Sequence, residues 1–403
     1  MISYGGSAAL GLAYWGAAAH RNHPAAVGQA AAMIAAIMLI SAVSQLGYGA
    51  VFQRQLPVAG ERSASLILRA YLVSSLIAAA LGTLYVASGL THHFLPSSLR
   101  WSVVFIVSGM LWTIFALQDS ALVGLRAAKW VPVENILYSL AKLAILPLSI
   151  WGHGSTGLFL TYMVPVPLAI LAVNLFLFRI HLPARRRQNL PTEDLASGRQ
   201  RWSMAVAQGV STLLSNASSS LIALIVVARL GGAANSVYYV SFQIVLGPIM
   251  FFWSISRSLL VEALHEPGRM ARHTRRGLAT TVVVLLATWA VAIPLAPDFL
   301  LIFGHSYASA GTELLRLQLI ALPGIAVVAL YSSYAWIDQK LWRLTGRAIL
   351  SLVVGVVSLE LLVSHFGLLA VGYASLATAT VEIVFFLPGT WRRVRRELRA
   401  PAS

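Results

Sequence analysis

Few residues of this 403-residue chain stand where they could do chemistry, because only 10% are charged. Lys142 is the most conspicuous. It sits about 11 residues into an apolar run, 131–151, which places it roughly 16 Å deep at 1.5 Å per residue. Asn135, Tyr138, Ser139 and Ser149 share its face by i, i+3, i+4 and i+7 spacing. A charge inside a spanning helix costs about 2.5–3.5 kcal/mol on the insertion scale, so such residues face an interior cavity or a partner. A polar stripe around a central ammonium therefore reads as cavity lining; the competing reading is a lysine that serves helix packing alone. Two carboxylates also fall inside apolar runs, Glu382 and Glu360. Either could counter Lys142 or take part in proton coupling, and each could equally be structural within its own half. Glu313 and Arg316, at i and i+3, read as a local ion pair.

Polar side chains without charge form further stripes. Gln208, Ser211, Thr212, Ser215, Ser218 and Ser219 run along one helix face, with Asn216 beside it. Gln45 follows Ser41 and Ser44, and Gln243 lies between Tyr239 and Ser254–Arg257. These stripes divide between cavity lining and the small-residue packing that joins membrane helices. Tyr14 and Trp15 read as interface anchors. Seven of the ten histidines fall on one side of the chain's alternating loops and read as surface residues. There is no cysteine, hence no disulfide, thiolate metal site or cysteine nucleophile. No P-loop, G-x-S-x-G or H-E-x-x-H is present, so no catalytic residue, cofactor or metal is expected, and the chain does not read as an enzyme.

The elements that must position these residues follow from composition. With 58% hydrophobic residues and a mean hydropathy of +0.77, the chain is no soluble globular protein, despite a net charge of +16 that would otherwise suggest nucleic acid. A spanning helix needs roughly 20 apolar residues. Twelve such runs are found, near 3–19, 27–51, 67–90, 101–122, 131–151, 157–178, 203–228, 236–260, 277–303, 311–336, 346–364 and 368–390. No Lys or Arg precedes Arg21, so 3–19 reads as a retained helix and not as a signal peptide. Numbered alternately, one set of loops holds only Arg21, Arg100 and Arg229, while the other holds 24 of the 29 basic residues, Arg347 among them. That asymmetry puts both termini in the cytoplasm, with the basic face towards anionic lipid headgroups. Lys142 and Arg316 remain inside spans.

The longest polar stretch divides the runs six and six. The expected organisation is a six-helix lobe over 1–178, a basic cytoplasmic linker at 179–202, a second lobe over 203–391 and a basic tail at 392–403. Residues 25–57 align without gaps on 235–267, and Trp130 onward aligns on Trp342 onward, at nearly equal offsets. Six is even, so the two halves would be parallel repeats related by an axis along the membrane normal, as in transporters. The fold class is an all-α polytopic membrane protein of twelve helices in two lobes.

The stretch Ser7–Gly49, the exit Phe52-Gln-Arg-Gln-Leu-Pro57, and Gln118-Asp-Ser-Ala-Leu-Val-Gly-Leu-Arg126 leading to Trp130 resemble bacterial polysaccharide transporters of the Wzx type. These lie within the multidrug/oligosaccharidyl-lipid/polysaccharide exporter superfamily. The likeness extends through Arg257–Glu266 and Trp342–Arg347, on pattern and topology more than on an invariant motif. It implies two lobes around a central cationic cavity in the plasma membrane, a monomer, and the flipping of an undecaprenyl-pyrophosphate-linked glycan to the outer leaflet. Glycan polymerase and glycosyltransferases would be neighbours in that process. The cavity would hold the pyrophosphate by charge-assisted hydrogen bonds, and Lys142, Arg257 and Arg69 are the candidates from the residue reading. Two rivals are a small-molecule or multidrug exporter of the same superfamily, expected to carry an acidic residue in helix 1 or 7 that is missing here, and a non-transporting scaffold in glycan assembly.

Overall fold

The computed structural model describes residues 2–148, 154–187, 199–265, 270–338 and 340–399. All regular structure among them is helical, as a chain of long apolar runs requires. In hydrocarbon each N–H and C=O must be bonded within its own segment, and a helix achieves this without a partner.

The first half comprises α1 (Ile2–Arg21), α2 (Pro24–Ser44), α3 (Tyr48–Gln55), α4 (Ser63–Ala87), α5 (Leu99–Gly124), α6 (Trp130–Ile145), α7 (Ser155–Met163), α8 (Pro165–Leu175) and α9 (Leu182–Arg187). α2 starts on Pro24, whose missing N–H costs nothing at that position, and the His23 side chain accepts from Ala25 N. Ser98 caps α5 by accepting from Trp101 N. The second crossing bends where Leu46 and Gly47 take positive φ, 47° and 79°. The sixth runs from α7 through Pro165 into α8, then into a π-helical segment, Phe176–His181, and α9.

The remainder comprises α10 (Arg199–His265), α11 (Met270–Ala292), α12 (Ala296–Leu301), α13 (His305–Ile320), α14 (Leu322–Ile337), α15 (Leu341–Phe366) and α16 (Leu369–Arg399). α10 is two helices broken at Gly231, where φ is 83° and ψ 176°. Ten stretches are long and apolar enough to cross a membrane, one of them (209–262) holding both parts of α10. Together with α1 they give twelve crossings among the described residues, in the order the sequence predicts. The protein is multi-pass. One boundary needs correction: the ninth crossing ends at Ala292 instead of continuing to 303, because Pro294 and Pro297 interrupt it and α12 forms separately.

The chain divides into two compact units, residues 2–236 and 237–403. In the first, α5 packs on α4, α2 and α3, and α1 lies on α6. A core of Phe52, Leu56, Ile67, Leu117, Leu122 and Leu125 fills the end near the α5–α6 turn. The division differs by one helix from the 179–202 linker expected from sequence, because two close approaches tie 199–236 to α2 and α3. A Cβ on Gly28 would fall 1.7 Å from the Gly232 carbonyl oxygen, and one on Gly209 would fall 2.9 Å from the Gly47 Cα. Asn235 Nδ2 donates to the Gly28 carbonyl at 2.7 Å, closing the first of these contacts. In the second unit α16 packs on α15, α14, α13 and α11. Its far end docks through Val394 against Leu259, Leu330 and Tyr334. Residues 188–198 of the expected linker and 400–403 of the tail lie outside the described residues.

Candidate functional site

Lys142 lies on α6 in the first unit and is 5% exposed. Its ammonium is 4.4 Å from the centroid of the Tyr162 ring, 5.0 Å from Tyr138 and 5.1 Å from Tyr14. Tyr138 is one helical turn before Lys142 on α6, Tyr14 comes from α1 and Tyr162 from α7. Two of the three phenol oxygens are held by other groups. Tyr14 donates to the Leu158 carbonyl at 3.0 Å and lies 2.8 Å from Thr161 Oγ1, and Tyr138 donates to the Tyr162 carbonyl at 3.0 Å. With the polar tips anchored, the ring faces surround the cation. Trp112 and Phe115 on α5 pack edgewise and tilted around Tyr138 and Tyr162, and Trp15 completes the wall. No ion pair among the described residues joins Lys142 to a carboxylate. A ring face attracts a desolvated cation by about 2 kcal/mol or more, so three faces offset much of the cost of burying the charge.

This box changes the reading of two residues and refines a third. Tyr14 and Trp15, expected as interface anchors, are 0% and 1% exposed and belong to the core. A tyrosine and a tryptophan near a helix end look alike from sequence whether they meet lipid headgroups or a neighbouring helix. Lys142 itself is buried, and its ammonium is enclosed by aromatic rings.

The other residues singled out from sequence scatter. Asn135 shares the helix with Lys142, yet its amide donates to both carboxylate oxygens of Asp119 at 3.3 Å and to the Val131 carbonyl at 2.9 Å. Ser139 is buried on α6. Gln45 is half-buried at the α2–α3 bend and donates to Ser41 Oγ at 3.3 Å. Ser215 and Asn216 are exposed on the first part of α10, with the Ser215 hydroxyl donating to the Ser211 carbonyl at 2.9 Å. The Gln208 side chain lies outside the described residues, as does Ser149. Gln243 is half-buried on the second part of α10, and Arg257 and Arg69 are exposed. Glu360 is half-buried on α15. Arg316 pairs with Glu313 at 2.7 Å, as their spacing predicts.

Glu382 has partners within its own unit. It lies in the second unit, 3.7 Å from Arg347, and accepts from Ser351 at 2.7 Å. Arg347 and Glu382 are both buried. Sequence reading counted Arg347 with the cytoplasmic face and so missed this pair. The signal was available: Arg347 lies four residues before Ser351 on one helix face. Glu134, buried on α6, and Asp119 on α5 also escaped notice, although Glu134, Tyr138 and Lys142 recur at four-residue intervals.

No protein-family model matches the sequence, and no curated protein does. Solved structures do match, end to end. A multidrug resistance MATE family transporter of the MOP superfamily in its inward-facing conformation superposes with a TM-score of 0.69 at 14% identity, covering 98% of this chain and 96% of its own. The fold is that of MATE transporters. The outward-facing conformation of a multidrug resistance MATE family transporter matches at a TM-score of 0.64 and 15% identity, over 99% and 94% of the two chains. A MOP superfamily transporter from Pyrococcus furiosus, described by a reverse polarity of its binding pocket that suggests a different function, matches at 0.63 and 14%, over 99% and 94%. The all-α, twelve-helix fold class expected from sequence is thus the one observed.

Proposed function

We propose that this MATE-fold protein is a membrane transporter that exports small organic molecules by alternating access. The observation that carries the proposal is the end-to-end likeness to multidrug resistance MATE transporters over 98% of the chain.

A second reading is retained because a specific observation favours it. Neither α1 nor the helix 199–230 contains an acidic residue, whereas the interior of the first unit holds the cation Lys142, which no ion pair among the described residues joins to a carboxylate. That polarity suits an anionic cargo, and with the sequence resemblance it supports flipping of an undecaprenyl-pyrophosphate-linked oligosaccharide or polysaccharide precursor. Glycan polymerase and glycosyltransferases would then be functional neighbours. For either cargo the charge asymmetry supports a plasma-membrane location with both termini cytoplasmic and the basic face on anionic lipid. Deletion of the gene separates the two. Raised sensitivity to small toxic compounds with an unchanged surface glycan supports the exporter; cytoplasmic accumulation of lipid-linked oligosaccharide with unchanged drug tolerance supports the flippase.

A further inference from the structure

The last helix is longer than a bilayer needs. α16 runs 31 residues, about 46 Å at 1.5 Å per residue, against about 30 Å of hydrocarbon. About 20 residues cover that thickness, so the end from Thr390 onward stands among the headgroups and beyond them. The two faces of this end differ. Thr390 and Val394 are buried, Val394 in the core it shares with Leu259, Leu330 and Tyr334. On the same side Arg393 lies 3.3 Å from Asp338, at the end of α14, and 3.3 Å from Glu397. These contacts fix the helix end on the second unit.

The opposite face is exposed and changes character at one residue. Val384, Phe385 and Leu387 precede Trp391, and Arg392, Arg395 and Arg396 follow it. A rotation of about 100° per residue puts all seven on one half of the helix surface. Tryptophan favours the membrane–water interface, and Trp391 stands where the length of the helix puts that boundary. The Arg395 guanidinium carbon lies 5.2 Å from the centroid of the Trp391 ring.

No printed contact among the described residues brings counter-charge to this face. Asp338 and Glu397 serve Arg393 on the docked side, Glu262 binds Ser258 and His273, and Glu382 is buried with Arg347. α11 adds charge of the same sign: Met270 and Leu278 pack against the Val394 core, and Arg272, Arg275 and Arg276 on the intervening turns are exposed. Like charges three and four residues apart repel on a helix. The dipole supplies only about half a negative charge at a helix C-terminus, too little for three guanidinium groups.

We propose that this face of α16 binds one anionic phospholipid. An acyl chain lies along Val384, Phe385 and Leu387, and the phosphate meets Arg392, Arg395 and Arg396 just past Trp391. Guanidinium forks match phosphate oxygens in bidentate geometry and keep their charge. A face that is apolar and then basic along its length fits a molecule built the same way, which a free anion is not. Attraction of a basic surface to a charged leaflet is diffuse, whereas a docked helix holds three arginines at fixed spacing. The site is independent of what the protein transports and of which side of the membrane α16 ends on.

Native mass spectrometry of the full chain released from detergent tests this, with phosphatidylglycerol competing against phosphatidylcholine of the same acyl chains. The expected result is preferential retention of one phosphatidylglycerol. Arg392→Gln/Arg396→Gln, which keeps the Trp391–Arg395 contact, should weaken its binding by about 30-fold, and adding Arg395→Gln by about 100-fold. Arg62→Gln/Arg126→Gln/Lys129→Gln removes the same charge from exposed positions of the first unit and should leave binding unchanged. Equal retention of the two lipids, or an equal loss in the first-unit variant, overturns the proposal. So does displacement of the lipid by millimolar inorganic phosphate, which would make the ligand a free anion.

Discussion

Lys142 and Tyr162 should be energetically coupled, and the coupling can be sized from the box. At 4.4 Å the Tyr162 ring is the nearest of three faces, and a desolvated cation–π contact of this kind contributes about 2 kcal/mol. Tyr162→Leu removes that face and leaves the charge buried, so it should lose this contribution plus the packing of a large side chain. Lys142→Met substitutes an unbranched apolar chain that fills irregular space. It removes the charge together with its desolvation cost, so its own effect should be small or even stabilising. In the double variant the missing ring no longer faces a cation, and only the packing loss remains. The cycle should therefore give a coupling of about 2 kcal/mol. Equilibrium unfolding of the four proteins in mixed micelles measures it. A coupling below about 0.5 kcal/mol, within the range of non-interacting sites, would refute the claim that ring faces hold the ammonium.

Arg347→Ala should destabilise the second unit by about 3–5 kcal/mol, because it strands the buried Glu382 charge, whereas Arg347→Met combined with Glu382→Leu should lie much nearer the wild type; thermal unfolding of the purified variants checks the order. Gly28→Leu should abolish folded protein in detergent size-exclusion chromatography, since a Cβ there meets the Gly232 backbone at 1.7 Å, while Gly11→Leu, with nothing within 4 Å of its Cβ, should behave as wild type. The chain has no cysteine, so single introduced thiols report topology directly. In intact cells a membrane-impermeant maleimide should label Ser97→Cys and leave Ser65→Cys untouched, and the reverse pattern would invert the orientation.

The number and order of crossings were legible because each run of about twenty apolar residues has one low-energy solution in a bilayer. Breaks were less legible. The stretch around Pro294 and Pro297 is as apolar as its neighbours, and hydropathy does not register the two prolines that separate α12 from α11. That Lys142 is buried could be read from its place in the run. Its surroundings could not, since Tyr14 and Tyr162 arrive from helices 128 and 20 residues away in sequence, and nothing local tells an inward tyrosine from one at the headgroups. Arg347 shows the same limit at a helix end, where a basic residue near the boundary reads as orientation charge until its partner on α16 is seen. Asp119 and Glu134 flank a short turn, and a turn-flanking acid ordinarily reads as solvated. Glu134 is nevertheless buried, on a helix that packs against α1 and α8.

Reconstituted protein tests the functional proposal most directly. With the chain in proteoliposomes and a pH gradient imposed, uptake of a panel of fluorescent and radiolabelled small organic compounds can be followed alongside the movement of a labelled lipid-linked oligosaccharide. The expected result is gradient-dependent movement of one or more small compounds, absent from empty liposomes, with the oligosaccharide remaining in its original leaflet. Movement of the lipid-linked oligosaccharide with no small compound transported would contradict the exporter and establish the flippase in its place.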